Sequence, residues 1–180
     1  ALATRHIAPE DRAKLQRSLI RSHAAGMGEP VEREVVRALM FLRAKTLASG
    51  RTGVRPVVLE TMVGLLNAGI TPVVREYGSL GCSGDLAPLS HCALVLMGEG
   101  EATDREGVQR PVPELLAEAG LEPVELAEKE GLALVNGTDG MLGQLLMALA
   151  DLEELADIAD ATAAMSVEAQ MGTDQVFSHD

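Results

Sequence analysis

Aromatic side chains are nearly missing: one Tyr, two Phe and no Trp in 180 residues. With no basic residues interleaved among aromatics, there is no stacking platform for nucleic acid. So few rings also fit a core packed from Ala, Leu and Val. Basic charge is in deficit, 15 Lys and Arg against 27 Asp and Glu, for a net charge of −12. A field of that sign repels nucleic acid and anionic membranes. Cysteine is scarce as well. Cys82 and Cys92 cannot form a disulfide framework, and no Cys/His spacing matches a structural zinc site, so a reducing, cytoplasmic compartment and no metal are expected. No apolar run reads as long enough to span a bilayer, so no membrane association is expected. No charged-then-apolar leader opens the chain. A first residue other than Met leads us to expect a processed or truncated product.

What is present is helical periodicity. The spacing predicts a helix from about Pro9 to Ala25, with Glu10 and Asp11 at its positive end and Gly26 and Gly28 as stops. A second runs from about Pro30 to Ser49, on Val31, Val35, Leu39 and Leu42. A third runs from about Pro56 to Ala68, ended by Gly69 and Pro72. A fourth spans about Leu86 to Met97, where Pro88 is tolerable only in the first turn. From Gly98 to Pro123 the pattern breaks into Gly, Pro and charge, read as an exposed excursion with a small hairpin and a short helical piece near Pro113–Ala119. The longest helix starts near Met141 and continues toward Met171, with Leu142, Leu145, Leu149, Leu152, Leu155 and Ile158 spaced by threes and fours. Strand signals are weak throughout. The fold class is mainly α, a helical bundle with an irregular excursion near 98–125. Its expected parts are residues 1–135 and the start of a long-helix bundle at 136–180, one incomplete domain overall.

The chemistry concentrates in Gly78-Ser79-Leu80-Gly81-Cys82-Ser83-Gly84-Asp85-Leu86-Ala87-Pro88-Leu89-Ser90-His91. A phosphate-binding loop needs Gly-Lys before Ser or Thr, and there is no lysine here. A nucleophile elbow needs G-x-S-x-G between a strand and a helix. Gly81-Cys82-Ser83-Gly84-Asp85 lacks the last glycine, and no parallel sheet is evident. Asp85 and His91 are near Ser83 in sequence, but a triad is a spatial arrangement. Backbone cyclisation is the third reading. The Gly84 nitrogen attacks the Cys82 carbonyl carbon and closes a five-membered ring with loss of water. The Ser83 hydroxyl then leaves as a second water, giving an exocyclic methylidene. Gly84 supplies an unhindered nitrogen and a tight bend, Ser83 the departing hydroxyl, and Cys82 only its carbonyl. The product is an electrophile, which no encoded side chain offers.

This run resembles the signature of the aromatic amino acid ammonia-lyases, whose methylidene-imidazolinone group is usually built from Ala-Ser-Gly. Here Cys82 stands in the Ala position. Ser22-His23-Ala24-Ala25-Gly26-Met27-Gly28-Glu29-Pro30 and Leu132-Ala133-Leu134-Val135-Asn136-Gly137-Thr138 are also similar to segments of that family. The similarity extends over nearly the whole chain and is greatest to the histidine-specific branch.

The resemblance implies a fold of the ammonia-lyase or fumarase-aspartase-like type. It implies a carbon–nitrogen lyase that converts L-histidine to trans-urocanate and ammonia in histidine catabolism, through a prosthetic group self-derived from Cys82, Ser83 and Gly84 with no external cofactor. The alternatives are a phenylalanine or tyrosine ammonia-lyase, an aminomutase, or an inactive truncated helical piece. Asn136 is implied to lie beside the prosthetic group. On residues alone, Asn136-Gly137 reads equally well as a turn pair. Asp85 is read as a helix cap or loop holder. His91, His23 and Cys92 are read as structural. Tyr77 does not match the family's catalytic tyrosine and is read as a packing residue. An amino acid substrate and a cytoplasmic homotetramer, with active sites shared between subunits, are implied for the full enzyme. The chain is expected to lack the catalytic base and the carboxylate-binding residues, and so to be inactive alone.

Overall fold

The computed structural model describes residues 7–178. The outer ends of both expected parts, 1–6 and 179–180, lie outside this range. The chain forms two compact units that divide between Gln144 and Leu145.

In the first unit the helices follow the apolar spacing. A 3₁₀ turn at Pro9–Asp11 leads into α1, Arg12–His23. α2 spans Arg33–Ala48, and α3 spans Pro56–Ala68. α3 opens on a proline, whose missing N–H is no loss in a first turn. It closes on Gly69 in the left-handed conformation at φ 78°, a backbone state that a Cβ disfavours. α4 (Leu86–Leu96) is the hub. It packs against α1, α3 and α6 (Glu130–Val135). Leu89, Cys92, Ala93, Val95 and Leu96 are all buried, as expected of a helix apolar on most of its faces. Between α4 and α6 lies the expected excursion, with α5 at Val112–Glu118.

Among the described residues there are five short strands, of which only the hairpin of the excursion was expected. β1 (Met27–Pro30) pairs antiparallel with β3 (Arg75–Tyr77), with a register irregularity between Met27 and Pro30. β2 (Thr71–Pro72), β4 (Ala102–Thr103) and β5 (Gln109–Arg110) form a second, antiparallel sheet in the order β2-β4-β5. β4 and β5 are the hairpin of the excursion. Its turn is held by the Asp104 carboxylate, which accepts the amide N–H groups of Glu106 and Val108 at 3.0 and 2.9 Å.

α7 runs from Asp139 to Ala169. From 145 onward it belongs to the second unit, where Leu145, Leu149, Leu152, Leu155 and Ile158 are exposed along it. The expectation that no segment is long and apolar enough to cross a membrane is corrected here. Glu130–Ala169 passes that test by length and composition, with a mean hydropathy of 1.2 in its best window. The core helix of a water-soluble protein passes the same test. A 3₁₀ turn at Gln175–Phe177 follows α7.

Candidate active site

β3 delivers the chain into the glycine-rich loop, and α4 receives it. Gly81 turns the loop at φ 63°, where a side chain would be strained. Gly81, Cys82 and Ser83 are exposed, Gly84 is half-buried and Asp85 is buried. The loop curls enough for the Cys82 thiol to donate to the Gly84 carbonyl oxygen at 3.4 Å. The side chain of the triplet's first member thus touches the backbone of its third.

The second motif comes to the same place. Asn136 ends α6, and its backbone N–H bonds to the Leu132 carbonyl at 3.0 Å. A Cβ added to Gly84 would lie 3.2 Å from Asn136 Oδ1, so the Asn136 amide stands directly against Gly84. The Asp85 N–H donates to the Gly137 carbonyl at 2.8 Å. The two loops named by the sequence are thus one site, with Asn136 exposed above it.

One residue of this arrangement was not singled out from the sequence. Arg43 on α2 is 2% exposed, and its guanidinium is paired with the buried Asp139 carboxylate. Its Nη1 also donates to the carbonyl oxygens of Ala133 at 3.2 Å and Asn136 at 3.4 Å. The signal was available: Arg43 falls four residues after Leu39 and four before Leu47, inside the buried stripe of α2. A cation on an apolar helix face needs a buried partner.

Asp85 sits at the N-cap of α4, but its side chain makes no capping bond, contrary to expectation. Its backbone, not its carboxylate, holds the loop. Both carboxylate oxygens are buried without a hydrogen-bond partner among the described residues. Beside them is a small cavity of about 20 Å³ lined by Val35, Leu39, Ser79, Pro88 and Gly140, roomy enough for one water molecule.

His91 on α4 is half-buried, and its Nε2 accepts the Gly26 N–H at 3.1 Å. That geometry puts the ring proton on Nδ1. Burial and the nearby Arg75 charge push its pKa down, with Glu101 acting the other way. Gly26 in turn lies against the loop's first residue, for a Cβ on Gly78 would come within 3.2 Å of Gly26 Cα. His23 Nδ1 lies 2.9 Å from the Leu19 carbonyl, an interaction within its own helix. Cys92 is buried, and desolvation pushes its thiol up to about 12. Tyr77 does not pack as expected: it is 69% exposed. Among the described residues, no group of His, Cys, Asp and Glu is arranged to hold a metal ion.

The triplet fits a self-derived ring. Residues 82 and 84 approach each other, a Cβ at position 84 would press on the Asn136 amide, and a carboxylate without a partner among the described residues follows it.

The sequence pattern of the family described as "Aromatic amino acid lyase" matches residues 1–180. The histidine ammonia-lyase of Streptomyces coelicolor is 71% identical over 178 residues, which are 99% of this chain and 35% of that protein. The chain therefore spans about a third of the length of the curated relatives it matches. The crystal structure of histidine ammonia-lyase from Trypanosoma cruzi superposes with a TM-score of 0.91 at 38% identity, covering 97% of this chain and 34% of that one. The tyrosine aminomutase from Streptomyces globisporus superposes with a TM-score of 0.70 at 47% identity, over 77% of this chain and 26% of that one. With the helical architecture and the assembled loops, the match over all 180 residues places the chain in the aromatic amino acid lyase family.

Proposed function

We propose that these residues form the prosthetic-group region of a histidine ammonia-lyase that eliminates ammonia from L-histidine to give trans-urocanate. The observation that carries the reading is the contact of Asn136 with Gly84 in a loop where Cys82 and Gly84 already approach each other. The 71% identity to a histidine ammonia-lyase favours histidine as the substrate. Cys82, Ser83 and Gly84 are the atoms of the methylidene-imidazolinone, which supplies an electrophilic exocyclic carbon. Asn136 donates and accepts hydrogen bonds beside it without changing charge. Its backbone is held by the Leu132 carbonyl and by Arg43, and a dipole positioned before substrate arrives is effective against developing charge. Asp85 keeps the loop closed on Gly137 through its backbone.

That the chain spans about a third of its relatives supports the rest of the reading. The base and the groups that bind the substrate carboxylate lie on segments beyond these, and the 180-residue chain alone is inactive. The resemblance supports a homotetramer for the full enzyme, and the exposed apolar residues of α7 after 145 are a face that the rest of that enzyme would cover. The free thiols at 82 and 92 support a cytoplasmic location.

The test uses a full-length lyase carrying these 180 residues. The peptide containing Ser83 is expected to weigh less than its sequence by two waters, and Ser83→Ala to lower turnover by about 1,000-fold or more. A full-mass triplet in an active enzyme would overturn the reading. Assays with histidine, phenylalanine and tyrosine decide the substrate. The 47% identity to a tyrosine aminomutase favours a second reading, and formation of β-tyrosine from tyrosine would establish it. Urocanate formation by the 180-residue chain alone would overturn its expected inactivity.

A further inference from the structure

We propose that the buried Arg43–Asp139 pair is a positioning device that sets Asn136 against the Gly84 loop. The proposal rests on the reading of Cys82, Ser83, Gly84 and Asn136 given above. One guanidinium reaches three points of a seven-residue stretch: the Ala133 and Asn136 carbonyls and the Asp139 carboxylate. These points bracket Asn136 from both sides. The end of α6 is held through Ala133, the residue itself through its own carbonyl, and the start of α7 through Asp139. Gly137 lies between them with no space for a side chain, since a Cβ there would collide with the Arg43 guanidinium and the Asp139 carboxylate. The Gly137 carbonyl then accepts the Asp85 N–H at 2.8 Å. Arg43 is thus linked to Asp85, the residue after the triplet, through Asn136 and Gly137, and it holds the backbone that carries the Asn136 amide.

A buried ion pair is poorly explained by stability alone. Desolvating two charges offsets much of their attraction, and replacing such a pair with apolar residues is often neutral. Holding a functional amide to within a fraction of an ångström is a different task, because a misplacement of about 1 Å can cost about 100-fold in rate. Lysine at 43 would keep the charge but has a single nitrogen, and it cannot reach three acceptors in one plane as the guanidinium does.

The test is made in a full-length lyase carrying this chain. Arg43→Lys is expected to lower kcat by about 10- to 100-fold with KM little changed, and to speed hydrogen exchange of the Asp85 amide, while the melting temperature stays near that of the parent. Arg43→Met with Asp139→Leu is expected to fold and to show the same two effects. Because Arg43 acts through Asn136, Arg43→Lys is expected to cost nothing further in an Asn136→Ala background. Losses that multiply in that background, or unchanged kcat and Asp85 exchange in folded Arg43→Lys, would overturn the proposal. Should the parent show no ring by mass, the proposed function fails by itself. Exchange at the Asp85 amide then still decides whether Arg43 holds the loop.

Discussion

The backbone N–H of Asp85 donates to the carbonyl of Gly137 at 2.8 Å, and this one bond joins two motifs that lie some fifty positions apart in the chain. It places the residue after the triplet at a fixed distance from the residue after Asn136. Gly84→Ala tests what that closeness means. The new Cβ would stand 3.2 Å from Asn136 Oδ1, a contact that forces the amide to give way, and it would crowd the nitrogen that closes the ring. Ring closure is expected to fail, with the triplet at full mass by mass spectrometry, while thermal unfolding moves little because Gly84 is only half-buried. Cys82→Ala is the matched control. Only the Cys82 carbonyl would enter the proposed ring, so the loss of two waters is expected to persist.

A second expectation concerns the carboxylate that ties α6 to α3. Glu130 is 2% exposed. It accepts the Arg55 backbone N–H at 2.9 Å, the Arg55 side chain at 2.9 and 2.8 Å, and the Ala127 N–H at 2.7 Å. Burial alone would push its pKa up. The bonds from the Arg55 side chain and from the Arg55 and Ala127 backbones outweigh burial and hold it below the ordinary carboxylate value. The folded pKa therefore lies below the unfolded one. The stabilisation is complete above about pH 4.3 and is lost as pH falls through the folded value. Glu130→Gln is expected to cost about 1–3 kcal/mol at neutral pH. The low end is favoured because the Arg55 side chain is half exposed and its charge is screened. Urea unfolding across the acid range checks this, and equal stability with an equal acid slope would contradict it.

How much of this was legible beforehand depended on the length of the signal. α2, α3 and α4 each carry three or more turns of apolar spacing, and their spans fell within a few residues of those expected. β1 to β5 have two to four residues each, too few for alternation to show. Tyr77 was expected to pack because it stands just before the loop, yet it lies on a two-stranded ribbon beside Glu76 and is exposed. The triplet stood out because the proposed cyclisation would constrain the identity of adjacent residues. Arg43's place in the apolar stripe of α2 was legible, but its partners were not, because they lie 90 to 96 positions away and only the fold brings them together. Asp85 shows the same limit: its type suggested a cap, and only coordinates reveal that its backbone does the holding.

His91 is expected to give the entrance to the loop a dependence on pH. Its Nε2 must stay unprotonated to accept the Gly26 N–H. Burial, then the Arg75 charge, lowers its pKa, and Glu101 opposes them. Glu101 is itself held below the ordinary carboxylate value by its bond from Arg75, so it stays charged across the titration. The folded pKa of His91 thus lies below the unfolded value of about 6.5. The contact's contribution is intact above that value and is lost as pH falls through the folded pKa, when the protonated ring can no longer accept the bond. Gly26 bears on Gly78, so the first effect of acid is expected at the entrance to the loop, as faster hydrogen exchange of the Gly26 amide. The His91 ring is expected to titrate by NMR with a midpoint below about 6.5. His91→Gln, which offers a carbonyl acceptor at similar reach, is expected to keep the Gly26 amide protected and to remove the pH dependence of its exchange. A midpoint above the ordinary value, or exchange in His91→Gln that still rises in mild acid, would mean that some other group carries the acid response.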